Sequence, residues 1–316
     1  MFALPDSWVW DFWFADDGDR FLMFFLYASK ALRDPEARHY RASVGHAVST
    51  DLRAWTRVED TLVRADAPAF DDLATWTGSV VRNPAGGWEM FYTGSTRVAD
   101  GRNIQRIGRA HSEDLYTWTR SGNGPALQAD GERYETLDKA WQDEAFRDPW
   151  VFRDPASGTW HMLVTARSGH LPDTFSRGVV GHATSPDLTT WSLEPPLTEP
   201  APGGFGQLEV MQTEIVEGQA VLIFSCLAEH ASLERRGTSG GVWAAPAAGL
   251  LGPFAIDQAY PLTDDSLYSG RLVQDRVGAW QLLAFKLATE DVPFVGEISD
   301  PLPVAWRDGR LTVEQE

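Results

Sequence analysis

Three stretches of the chain are near copies of one another: VGHAVSTDLRAWT from Val44, IGRAHSEDLYTWT from Ile107 and VGHATSPDLTTWS from Val180. Each reads as an apolar strand, a polar turn carrying Ser-x-Asp-Leu, and a tryptophan (Trp55, Trp118 or Trp191) that opens the next strand. A weaker version, VWAAPAAGLLGPFA from Val242, puts Phe254 in the tryptophan's place. Repetition at this interval constrains the fold more than any local propensity, because a recurring unit must bury its apolar faces against its own neighbours.

A second element precedes these and recurs five times. DPWVFRDPASGTWHMLVTA from Asp148 matches TGSVVRNPAGGWEMFYTG from Thr77, with looser versions at DFWFADDGDRFLMFFLYA from Asp11, EVMQTEIVEGQAVLIFSC from Glu209 and SGRLVQDRVGAWQLLAFK from Ser269. A short strand, a turn rich in Asp, Gly, Asn or Pro, and a strongly apolar strand together make a hairpin signature. Five hairpins, each followed by a further strand pair, predict an all-β chain: a five-bladed β-propeller, almost without helix. The expectation is one domain over residues 1–316, its last blade closed by N- or C-terminal segments.

Composition narrows what such a propeller can meet. A formal net charge of −18 argues against nucleic acid and anionic membrane as partners, since both select basic surface. Neutral or cationic small molecules remain, and none of these features sets an oligomeric state. The lone cysteine, Cys226, lies in the apolar run AVLIFSC and reads as a buried structural thiol. His39, His46, His111, His161, His170, His182 and His230 lack a tight ligand spacing, so neither a metal nor another cofactor is expected; His46 and His182 hold equivalent repeat positions, which suggests packing. The stretch MFALPDSW has no basic start and long apolar run, and no segment reaches membrane-spanning length, so the expected location is the cytoplasm.

In a propeller the first strand of each blade lines the central channel, so the hairpin starts converge on one funnel. Asp11 stands there in the first blade, flanked by Trp10 and Trp13 in WVWDFWF. The second contributes Trp76 to Ser79, the third Arg147 and Asp148, the fourth Glu209 with Gln212 beyond it, and the fifth Tyr268 and Arg271. Three carboxylates in one pocket are costly unless one is protonated or a cation or substrate compensates. Trp10, Trp13, Trp76, Ser79, Arg147, Gln212, Tyr268 and Arg271 are therefore the candidate substrate-binding residues around the candidate acids Asp11, Asp148 and Glu209.

These motifs resemble those of two glycoside hydrolase families. VWDFW is similar to the VWDSWP of family 68, the levansucrases, and stands where family 32, the invertases and fructanases, carries NDPNG. WTGS at Trp76 to Ser79 is similar to their WSGS or FSGS, FRDP at Phe146 to Pro149 matches their RDP, and LEVMQ at Leu208 to Gln212 stands where they carry the acid/base glutamate. The order holds along nearly the whole chain.

The resemblance implies a retaining glycoside hydrolase acting on short β-fructofuranosides, and a funnel closed at the bottom by aromatic residues favours attack at the chain end. Asp11 would be the nucleophile, Asp148 the stabiliser binding sugar hydroxyls, and Glu209 the acid/base. The chemistry agrees: an oxocarbenium-like transition state needs a flanking carboxylate, and the leaving oxygen needs a proton from a carboxylic acid of raised pKa. Apolar Leu208 and Val210 beside Glu209 are the neighbours such a shift requires. Two departures stand out. FWFADDGD lacks both Pro-Asn-Gly and Ser-Trp-Pro, implying a reshaped pocket floor, and EVMQ lacks the families' Glu-Cys or Glu-Arg pair, which leaves Glu214 and Glu217 as rival acids. An inverting hydrolase resembling the family 43 arabinosidases and xylosidases, and a non-catalytic sugar-binding propeller, stay open. Acceptor-side walls are expected from the loops at 98–103 and 168–177.

Overall fold

The computed structural model describes residues 1–137, 141–169, 171–289 and 291–314. Its strands fall into five antiparallel sheets. The first blade holds β1 (Ser7–Asp16), β2 (Phe21–Ser29), β3 (Ser43–Ser49) and β4 (Thr56–Arg57). The second holds β5 (Ala74–Arg82), β6 (Trp88–Arg97), β7 (Asn103–Ser112) and β8 (Thr119–Arg120), and the third β9 (Phe146–Arg153), β10 (Trp160–Arg167), β11 (Gly178–Ser185) and β12 (Ser192–Glu194). The fourth runs β13 (Glu209–Val216), β14 (Gln219–Cys226), β15 (Gly241–Pro246) and β16 (Tyr260–Pro261). The fifth contains β17 (Leu267–Gln274), β18 (Trp280–Lys286), β19 (Glu297–Ile298), β20 (Leu302–Arg307) and β21 (Arg310–Val313). Innermost strands touch in sequence, β1 to β5 to β9 to β13 to β17, and β17 returns to β1. This is the five-bladed propeller read from the repeats.

Both chain ends take part in the last blade. Phe2 and Ile298 exchange two backbone hydrogen bonds of 2.9 Å, tying the N-terminal segment to β19, while the β20–β21 hairpin supplies the outer edge. The middle strands carry much of the apolar burial between blades: Phe24, Phe25 and Leu26 of β2 and Leu222, Ile223 and Phe224 of β14 are all buried. Such sheet-on-sheet burial is the main stabilising contribution. Helical structure among the described residues is confined to short 3-10 turns, and no helix is long and apolar enough to cross a membrane.

The Ser-x-Asp-Leu repeat has a local explanation. In the first copy Asp51 accepts from the backbone N–H of Arg53 and Ala54 at 2.9 and 2.8 Å, Leu52 takes a positive φ of 63°, and its carbonyl accepts from Trp55 Nε1 at 3.0 Å. Asp114, Leu115 and Trp118 repeat the pattern, as do Asp187, Leu188 and Trp191. The aspartate caps free amides, as an N-cap does, and the leucine, fully buried each time, offsets the cost of its left-handed backbone by burial. His46 and His182 pack as read: the first stacks on Phe24 at 4.6 Å, the second on His161 at 5.2 Å. Burial also raises the pKa of the Cys226 thiol, at the end of β14. His170 lies outside the described residues.

Candidate active site

Every innermost strand carries a β-bulge at the same step. Pairing shifts register between Trp10 and Phe12 in β1 and between Trp76 and Gly78 in β5. It shifts again opposite Leu163 and Thr165 in β9, between Glu209 and Gln212 in β13, and between Tyr268 and Arg271 in β17. A bulge inserts one unpaired residue and re-aims its side chain. The bulged residues form one ring around the axis, Asp11, Thr77, Asp148, Val210 and Ser269, and those just before them form a second ring, Trp10, Trp76, Arg147, Glu209 and Tyr268. All ten line a single cavity of about 760 Å³. Asp148, Val210 and Ser269 hold positive φ of 56°, 51° and 51°, backbone strain of the kind stored at functional sites.

Asp11 is held on both oxygens. Thr77 Oγ1 donates to Oδ2 and Ser269 Oγ to Oδ1, each at 2.6 Å, so neighbouring blades fix the carboxylate from either side. Burial raises its pKa, opposed by these two hydroxyls and by Arg38, while the charge of Glu209 pushes the same way as burial. Asp148 Oδ2 accepts from Thr165 Oγ1 at 2.9 Å and from the Val210 amide at 3.3 Å. Burial drives its pKa up to about 6 against the pull of Arg147, with Asp11 and Glu209 adding to the rise.

Arg147 holds the centre. Its Nη2 donates to Glu209 Oε1 at 2.5 Å and to Gln207 Oε1 at 2.7 Å, Nη1 donates to Gln105 at 3.0 Å, and Nε lies 3.4 Å from Asp148. Burial opposes its charge, but Glu209 and Asp148 outweigh that and hold the guanidinium pKa above its ordinary value. Tyr268 Oη donates to the other oxygen of Glu209. The surroundings of the Glu209 carboxyl are thus a guanidinium and a phenol. Leu208 and Val210 are buried, but side chains alternate along a strand, so apolar neighbours in sequence do not make an apolar environment.

Two more arginines balance the acids. Arg38, from the 3-10 turn Pro35–Tyr40, lies 3.8 Å over the Phe294 ring and 5.6 Å over Trp10, and attracts Asp11 electrostatically. Arg271 lies beneath the floor, and burial lowers its pKa to about 10 against the attraction of Asp148 and Asp11. On one wall His39 stands edge-on to both Trp10 and Trp76, and its carbonyl accepts from Trp76 Nε1 at 2.8 Å.

Seven of the residues singled out from sequence therefore share the cavity: Asp11, Asp148, Glu209, Trp10, Trp76, Arg147 and Tyr268. Trp13, Ser79, Gln212 and Arg271 do not line it, and for one reason: each stands two residues past the bulge, where the strand has left the funnel and packs between blades. Trp13 stacks on Phe24, Ser79 accepts from the Val151 amide, and Gln212 bridges the N–H and C=O of Leu272. Arg271 donates to the carbonyls of Phe12, Val210 and Met211, joining three blades. The rivals Glu214 and Glu217 are also away from the lining, Glu217 in the β13–β14 turn. Of the expected walls, Asp100 to Asn103 line the cavity, and Thr174 and Phe175 line a smaller concavity beside it. Sequence reading missed Arg38, His39, Gln105 and Gln207; the hairpin repeats already set Thr77 and Ser269 in the column of Asp11, but gave neither hydroxyl a role.

A five-bladed β-propeller that gathers two aspartates and a glutamate around a buried arginine at one end of its axis has the frame of a propeller glycoside hydrolase. The chain belongs to glycosyl hydrolase family 32: residues 14–241 match the family described as "Glycosyl hydrolases family 32 N-terminal domain". A fructan 1-exohydrolase of Aegilops tauschii is 36% identical over 126 residues, which make up 38% of this chain and 19% of that protein. The matched stretch is thus about a fifth of the relative's length. Among solved structures, the fold is similar to an inulosucrase from Halalkalicoccus jeotgali bound to kestose (TM-score 0.78, 24% identity, 98% of this chain and 87% of that one). It is also similar to a Bombyx mori family 32 β-fructofuranosidase (TM-score 0.74, 17% identity, 99% and 64%). At such identities these likenesses describe the fold.

Proposed function

We propose that the protein is a retaining, exo-acting hydrolase of short β-fructofuranosides, sucrose or fructo-oligosaccharides. The observation that carries this reading is the convergence of Asp11, Asp148 and Glu209, from three blades, on one cavity. Family membership supports it, as does the likeness to a fructan 1-exohydrolase and to a β-fructofuranosidase. In this reading a terminal fructosyl unit enters the funnel against Trp10 and Trp76. Asp11 attacks its anomeric carbon while Glu209 passes a proton to the glycosidic oxygen, releasing the rest of the sugar as an alcohol. Arg147 then supports the Glu209 carboxylate that remains, and Asp148 accepts hydrogen bonds from ring hydroxyls as positive charge develops. Water gives its proton to Glu209 and attacks the fructosyl-enzyme ester, freeing Asp11. A second sugar in place of water gives transfer, as the minor outcome.

A panel of sucrose, inulin-type and levan-type oligosaccharides and nitrophenyl arabinosides tests the assignment. Fructose released from the first three, with the arabinosides untouched, is expected. Arabinoside cleavage with inert fructosides would overturn it.

A further inference from the structure

The concavity beside the funnel, of about 370 Å³, shares Trp141, Gln142, Glu229 and His230 with it and is completed by Thr174 and Phe175. Its central ring is anchored from behind. The Arg167 guanidinium lies 3.6 Å over Trp141 and is itself only 1% exposed, donating to Glu135 at 2.8 Å, to the carbonyl and hydroxyl of Thr174 at 2.8 and 2.9 Å, and to the Gly206 carbonyl. Phe175 and His230 meet Trp141 edge-on at 5.8 and 5.4 Å. Gly206 leaves room for this seat: a Cβ there would come within 3.2 Å of the indole and 2.8 Å of the His230 carbonyl.

His230 is oriented from the acid cluster itself. Arginine can only donate, so Gln207 turns its oxygen to Arg147 and its amide nitrogen to His230, at 3.1 Å. His230 Nδ1 must accept, which leaves the proton of the neutral ring on Nε2. The bonded path from Glu209 through Arg147 Nη2 and Gln207 limits His230 to no more than about 11 Å from the carboxyl. Thr174 and Phe175 line the outer concavity and not the funnel, so a ring seated there lies past the units held beside the acids.

We propose that Trp141, Phe175 and His230 form a platform for a third sugar unit on the leaving-group side, so that β-fructosides of three or more units are preferred over the disaccharide. This rests on the fructosidase reading above. Sugar rings offer C–H faces that pack on aromatic rings and hydroxyls that need polar partners, and this concavity supplies both: rings from Trp141 and Phe175, and polar groups from His230, Glu229 and Gln142. Rings already locked by Arg167 lose little freedom when a sugar arrives, so the contact adds affinity at low entropic cost.

The test is the ratio of kcat/KM for an inulin-type trisaccharide to that for sucrose, in the wild-type enzyme and in Trp141→Ala and Phe175→Ala. Phe175 is on the outer concavity alone, which guards against a folding defect in the tryptophan variant. The expected result is a wild-type preference of at least about tenfold for the trisaccharide that collapses by about tenfold in both variants, through KM rather than kcat. An active enzyme with no trisaccharide preference, or a ratio unchanged in both variants, overturns the platform alone. A wild-type enzyme that releases fructose from neither sugar overturns the fructosidase reading and the platform with it.

Discussion

Ser269 donates its hydroxyl to Asp11 across the seam between the fifth and first blades, at 2.6 Å. Thr77 does the same from the second blade. Both bonds lower the Asp11 pKa against the rise caused by burial, so removing either leaves the carboxyl harder to ionise. Ser269→Ala and Thr77→Val are each expected to move the acid limb of the kcat/KM profile to higher pH and to lower the plateau about tenfold, the scale of one charge-assisted hydrogen bond. A profile measured from pH 4 to 8 checks this; a merely structural role would lower stability without moving the limb.

Removal of the proposed reacting groups is expected to have larger effects. Asp11→Asn and Glu209→Gln should each cut turnover by about a thousandfold or more while preserving the fold, since in the proposed mechanism each deletes a group that forms a bond or moves a proton. Asp148→Asn should also lower turnover heavily, by weakening charge stabilisation. Steady-state kinetics alongside a thermal melt separates loss of chemistry from loss of structure, and a near-normal rate for Glu209→Gln would remove Glu209 from its role.

The same Asp148 costs the free protein stability. Its pKa rises from an ordinary 3.8 to about 6 on folding. Below about pH 3 it is protonated in both states and costs nothing; as pH rises toward 6 the unfolded chain ionises first and is favoured, so stability falls. Asp11 acts in the same direction. Asp148→Asn should therefore be more stable than wild type at pH 7, by about 1–3 kcal/mol, with the gain falling to about 0.5 kcal/mol or less at pH 4. Denaturant unfolding at both pH values reads the difference.

The architecture was legible because propeller blades repeat, and the repeat is physical: an aspartate that caps two amides, a leucine in a left-handed turn, a tryptophan whose N–H returns to that leucine. Asp114→Ala should cost about 1 kcal/mol by uncapping Tyr116 and Thr117, seen as a lowered denaturation midpoint with an unchanged m-value.

The site was legible only to the depth at which hairpin starts and funnel coincide. Trp10, Trp76, Arg147, Glu209 and Tyr268 occupy one step of the repeat, and the bulge follows. Beyond it Trp13, Ser79, Gln212 and Arg271 turn into the seams, because an inserted residue changes which face the strand presents, and no residue type marks a bulge in all five strands. Arg38, His39 and Trp141 come from the connections 30–42 and 121–145, which the repeats do not encode. Their place in the cavity depends on how those segments fold back, held by contacts such as Arg38 over Phe294.

In the proposed mechanism Asp11 carries a fructosyl group between two displacements. Sucrose turned over in water containing methanol, followed by carbon NMR from the first turnovers, tests it most directly, because a methyl glycoside cannot change its anomeric configuration after release. Methyl β-fructofuranoside forming alongside fructose, and its loss in Asp11→Asn, is the expected result. Fructose appearing first in the α configuration, with no methyl glycoside formed, would contradict it.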